Sequence, residues 1–233
     1  MTPPAVIALI APLILLAIAA GCFMWRRALT RTELLPEEMA LAGAWVFVVG
    51  SLVWLGAYLG EFTLLGFGVP WTWLAGAHFF FAGFGALTVT ALTCRLVSNL
   101  RSLRILRTLL VMHPVVYLVT AAGIMGIRYC DEMGAAGYAG IFVIQLGAVG
   151  FGGPYRVARV PRFLILLALM VPLLTMIPAL SWAWRVPIFD IAGMVRYHGL
   201  VNALGHVGLG LAAFAWGRPL SHAAFLNKAL LAP

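Results

Sequence analysis

The chain has 233 residues, of which 64% are hydrophobic and only 9% are charged. A water-facing domain is about one quarter charged, so this composition excludes an ordinary soluble protein. The formal net charge of +8 is read as membrane topology, with no nucleic-acid partner, because arginine and lysine gather in cytoplasmic loops near membrane ends.

Seven apolar runs follow one another along the chain, roughly over 5–24, 39–60, 70–93, 106–126, 136–153, 162–183 and 196–217. Each is near the about 20 residues that a spanning helix needs at 1.5 Å rise. The expected fold is an all-α integral membrane bundle of about seven helices, one transmembrane domain over 1–233. Connections are short, which makes consecutive helices antiparallel neighbours. Cys22 follows Ala19-Ala20-Gly21, a faint lipoprotein-like cleavage pattern. No positive charge precedes it, so the first helix is expected to be retained. Cys22, Cys94 and Cys130 form no C-x-x-C pair and indicate neither a disulfide framework nor a thiolate metal site.

The basic residues sort by side. Arg26, Arg27 and Arg31 follow the first run; Arg95, Arg101, Arg104 and Arg107 the third; Arg156, Arg159 and Arg162 the fifth; and Arg218 and Lys228 stand in the tail. The opposite side carries only Arg128, Arg185 and Arg196. The positive-inside rule places the larger group in the cytoplasm, with the N-terminus outside and the C-terminus cytoplasmic. Trp71, Trp73, Trp182, Trp184, Tyr129 and Tyr138 then form an outer interfacial belt, and Trp25 and Trp216 an inner one. Pro114, Pro172 and Pro178 mark kinks. Gly56 with Gly60, and Gly208 with Ala212, suit close helix contacts.

Ionisable groups inside a bilayer are expensive and are functional candidates by default. Glu61 closes the second run, after Trp54 and Tyr58 at helical spacing. His78 stands roughly 12 Å into the third run, among Phe79, Phe80 and Phe81. Gln145 lies in the fifth run and is read as outer-half. His198, Asn202 and His206 recur at i, i+4 and i+8 down the seventh. Asp190 and Met194 extend that stripe if the helix starts near Pro187. Interhelical hydrogen-bond glue would account for the same stripe. His113, beside Pro114, reads as structural, and His222 as a solvated tail residue. Glu61, His78, Gln145, Asp190, His198 and Asn202 come out at similar depth, which implies a polar cavity open to the outer leaflet with aromatic walls.

The stretches His78-Phe-Phe-Phe-Ala-Gly-Phe-Gly85 and His198-Gly-Leu-Val-Asn-Ala-Leu-Gly205 parallel one another, as a three-plus-one-plus-three repeat would. They resemble the bacterial YndJ-like family, whose members look like small helical membrane proteins with a His-Phe-x-x-Ala-Gly-Phe and a His-Gly-x-x-Asn-Ala-x-Gly stretch. Phe80 stands where that pattern leads one to expect a second histidine. The resemblance implies a bacterial cytoplasmic membrane protein and carries little chemistry. A weaker similarity is to small seven-helix membrane terpene cyclases, which implies that Glu61 and Asp190 act as acids in epoxide cyclisation.

No lysine lies within a helix, which excludes a retinal Schiff base, and no phosphate loop, H-E-x-x-H or dinucleotide fingerprint occurs. The first function class is then a cofactor-independent membrane enzyme, an isomerase or cyclase acting on a hydrophobic, terpenoid- or lipid-like small molecule. Glu61, His78, Asp190, His198 and Asn202 would be catalytic. Trp54, Tyr58, Phe79, Phe81, Gln145 and His206 would bind substrate. Burial would keep Glu61 protonated as general acid, while His198 or His78 accepts a proton. The alternative is a transporter of a small molecule, proton or lipid. A haem held by His78 and His198 and a purely structural protein are the remaining classes.

Overall fold

The computed structural model describes residues 1–31, 34–153 and 155–220; His222 and Lys228 lie outside them. Seven helices among the described residues are long and apolar enough to cross a membrane: α1 (Pro3–Leu29), α2 (Pro36–Leu59), α3 (Trp71–Thr93), α4 (Leu100–Ile124), α5 (Cys130–Gly150), α6 (Arg159–Ala183) and α7 (Ile191–Gly217). Leucine, isoleucine and valine side chains such as Val46, Leu118, Leu174 and Leu204 point outward, as a lipid-facing surface requires. The chain is a multi-pass membrane protein.

Helices α2, α4, α5 and α7 start earlier than hydropathy suggests because polar residues occupy or cap their first turns. Asn99 Oδ1 caps α4, accepting from the backbone N–H groups of Arg101 (2.8 Å) and Ser102 (3.3 Å), so Arg101, Arg104 and Arg107 are helical. Asp131 and Glu132 occupy the first turn of α5, and Glu37 and Glu38 that of α2, where the helix dipole favours negative charge. Asp190 Oδ1 accepts from Gly193 N at 2.7 Å and sets the start of α7. Pro187 therefore precedes the helix, and the expected upward extension of the polar stripe through Asp190 is corrected.

The described chain divides into two compact units, Met1–Thr88 and Val89–Pro233. In the first, α1 and α2 run antiparallel: Gly56 sits beside Ile10 and Val6, and Gly21 against Trp45. Ser51 Oγ donates to Gly76 O across α2 and α3 at 2.8 Å. Gly50 lies against the Phe79 ring and Gly83 against Phe47. Small residues thus let large rings cross closely.

In the second unit α4 and α5 are antiparallel, with Gly134 on Thr120 and Gly137 on Val116. Helices α6 and α7 pair through Val171 on Gly205, Ala168 near Gly210 and Pro161 on Gly217. Among the described residues Gly208 meets only its own helix at Ala203 O, and Ala212 is exposed, so the expected Gly208–Ala212 contact is replaced by Gly205 and Gly210. The cause is the winding of α7: Met194–Leu200 and Asn202–Gly208 are π-helical, which rotates later residues off the α-helical face. Residues Phe79–Gly85 of α3 are π-helical too. π-turns make up well under 1% of residues in proteins and often occur at functional sites. Here they coincide with the two stretches of similar sequence.

Candidate functional site

The polar stripe of α7 faces the proline-bearing stretch of α6. Proline has no N–H, so Pro172 leaves the carbonyl of Ala168, four residues earlier, without its helical donor. His206 Nδ1 fills that vacancy at 2.9 Å. One step up, His198 Nδ1 reaches Thr175 O at 2.8 Å, and Thr175 Oγ1 donates to Asn202 Oδ1 at 2.8 Å. A carbonyl only accepts, so both imidazoles carry their proton on Nδ1 when neutral. Their Nε2 atoms then hold the lone pair.

Beside this latch, an apolar groove of about 360 Å³ opens between α6 and α7. Leu174, Thr175, Ile188, Phe189, Tyr197 and Val201 line it. Phe189 and Tyr197 stack with centroids 5.0 Å apart. Thr175 belongs to both groove and latch, so the Asn202 amide and the His198 imidazole are bonded to a residue of the slot's wall.

Deeper in the same unit lies a cluster that sequence reasoning missed. The His113 ring meets Tyr138 edge-on (5.1 Å), Tyr138 stacks on Phe142 (5.9 Å), and Phe142 meets His206 edge-on (5.3 Å). Tyr138 is 7% exposed, so it is a core residue and not part of an interfacial belt. His113 is fully buried. The signal was available in the i, i+4, i+7 spacing of Tyr138, Phe142 and Gln145 on α5, which puts them on one face. Gln145 Oε1 accepts from Thr90 Oγ1 at 3.4 Å.

Several expected members stand elsewhere. Gln145 lies close to the Gly150 end of α5, whereas His198 lies close to the Ile191 start of α7; the two helices run the same way. Gln145 is therefore not level with His198. Asp190 is committed to its cap. Glu61 lies beyond the end of α2, at φ 54° and exposed, and lines a hollow of about 530 Å³ together with Met1, Tyr58, Leu59 and Val69. The burial expected of it is absent. His78 is exposed, with Nδ1 2.9 Å from Leu74 O of its own helix. Trp54 packs edge-on against Phe67 (6.5 Å) and Phe81 edge-on against Phe80 (5.1 Å), while Phe79 is tilted against Phe47 (6.2 Å); Tyr58 and Phe81 are exposed. The fully buried Glu37 and nearly buried Glu38, 3.7 Å from Arg31, were also missed, because they precede the apolar run of α2. No group of three or more His, Cys, Asp or Glu among the described residues could hold a metal ion.

The family described as YndJ-like protein matches residues 1–206, and the chain belongs to it. No curated protein and no solved structure matches.

Proposed function

We propose that this YndJ-like membrane protein takes an apolar, terpenoid- or lipid-like molecule into the groove between α6 and α7 and acts on it as a cofactor-independent isomerase or cyclase. The bacterial cytoplasmic membrane, with the N-terminus outside, is its proposed setting, on the arginine distribution. One observation carries the reading: Thr175 lines the apolar groove while holding Asn202 by its hydroxyl and His198 by its carbonyl.

The chemistry follows from donors and acceptors on that wall. With Nδ1–H fixed on Thr175 O, His198 accepts a substrate proton at Nε2. Tyr197, whose phenol borders the groove, donates a proton to the substrate atom that gains it. A proton passing from imidazolium to phenolate resets both groups, so the product has the mass of the substrate. Phe189 and Tyr197 offer ring faces to developing positive charge. Asn202, with its carbonyl oxygen engaged by Thr175, has its amide N–H groups to orient an oxygen of the substrate. Glu61 and Asp190 take no part.

The test compares lipid-soluble metabolites of cells with and without the chain, fed prenylated and epoxidised precursors, with His198→Ala as control. A product of unchanged mass that vanishes in the control supports the reading. No new species, but an altered split of precursor between cells and medium, replaces it with a carrier.

A further inference from the structure

Among the described residues, the buried His206 Nε2, Gln145 Nε2 and Tyr138 Oη of the second unit have no hydrogen-bond partner. Their residues are 2%, 0% and 7% exposed. Each such orphan costs about 1–3 kcal/mol. Interhelical glue explains why His206 Nδ1 meets Ala168 O, but it leaves these three atoms unaccounted for. They are also chemically different: an acceptor nitrogen, an amide donor and a hydroxyl that does both. A small species that donates and accepts, such as water, satisfies all three, and an apolar ligand satisfies none.

Their order along the helices is informative. Tyr138 lies toward the Cys130 end of α5 and Gln145, on Thr90 of α3, toward the Gly150 end. Phe142 stands between them, stacked on Tyr138 and edge-on to His206. We propose that this core is a proton path in which His206 relays at Nε2 and the Phe142 ring separates the Tyr138 side from the Gln145 side.

The step balances at one atom. Hydronium on one side gives its proton to Nε2, leaving water and an imidazolium whose Nδ1–H stays on Ala168 O. When the Phe142 ring turns, Nε2 returns the proton to water on the other side. The titratable groups near this core are His113 of α4, which interacts electrostatically with His206, and Tyr117 of α4, which does so with Tyr138 of α5; the facing stretch of α6, 165–175, carries none.

The experiment places the purified full chain in liposomes that contain a pH-reporting dye, with a potassium diffusion potential as driving force. Phe142→Ala is expected to raise proton flux several-fold over the native chain. Adding His206→Gln should return it to that of empty vesicles. Tyr138→Phe removes only a hydroxyl without a partner, so it folds as the native chain does, and in the Phe142→Ala background it should lower flux at least about twofold. Unchanged flux in Phe142→Ala, flux that survives His206→Gln, or equal leakage of potassium or chloride each overturns the proposal. So does full flux in the Tyr138→Phe variant.

Discussion

His206 Nδ1 lies 2.9 Å from the carbonyl oxygen of Ala168, the acceptor that Pro172 deprives of a helical donor. The proline and the histidine are therefore one device: the first creates a buried acceptor and the second satisfies it. Replacing His206 by Phe leaves that carbonyl orphaned and costs about 1–3 kcal/mol. In a Pro172→Ala background the restored N–H serves Ala168 O, so the same replacement costs less. A double-mutant cycle by thermal unfolding in detergent should give a coupling of about 1 kcal/mol. Additive effects would disprove the link.

This relationship shows where sequence reasoning stops. Seven spans and the stripe on α7 were legible because a bilayer forces hydropathy and backbone satisfaction into the sequence. The directions of the side chains were not. The stripe was laid out at 3.6 residues per turn, and the π-winding of Met194–Leu200 and Asn202–Gly208 changes which neighbours it meets. Glu61 looked like the last residue of a helix, yet it adopts a positive φ beyond it. Tyr138 and His113 looked interfacial and structural because hydropathy gives depth and not facing. Their partnership across α4 and α5 depends on the glycine-mediated approach of those helices.

The groove reading predicts a separation of stability from turnover. Val201 lines the slot and is 41% exposed, so Val201→Trp fills the slot and changes unfolding free energy by no more than about 0.5 kcal/mol. The new product should fall at least about tenfold in cell extracts. Thr175→Val, by contrast, breaks the bond to Asn202 and should cost about 1 kcal/mol, while Thr175→Ser retains most of it. A Val201→Trp chain with native product levels removes the groove from the mechanism.

Asp190 distinguishes a cap from an acid. Its carboxylate accepts from Gly193 N at 2.7 Å, a role that asparagine fills nearly as well. Asp190→Asn should match the native chain in stability within a few tenths of a kcal/mol and leave product formation unchanged, whereas Asp190→Ala should cost about 1 kcal/mol. A catalytic carboxylate would give the opposite pattern, with turnover lost in Asp190→Asn at native stability.

The approach of α4 to α5 holds His113 against Tyr138, and the two helices come close at Gly134. A methyl group there would meet the Thr120 backbone, with its Cα at 2.8 Å, whereas at Gly140 it would meet nothing within 4 Å. Backbone cannot rotate aside as a side-chain tip does, so Gly134→Ala must push the helices apart and is expected to cost about 1–3 kcal/mol. Gly140→Ala changes only helix propensity and should stabilise by about 0.5–1 kcal/mol. Unfolding of the two variants side by side in one detergent separates crossing geometry from propensity, since both place the same methyl on the same helix. Because α5 also carries Phe142, a widened crossing should loosen the ring that separates Tyr138 from Gln145. Gly134→Ala is then expected to raise proton flux in liposomes while lowering stability, and Gly140→Ala to do neither. Equal stability in the two variants would mean that α4 and α5 do not cross as closely as the Thr120–Gly134 contact requires.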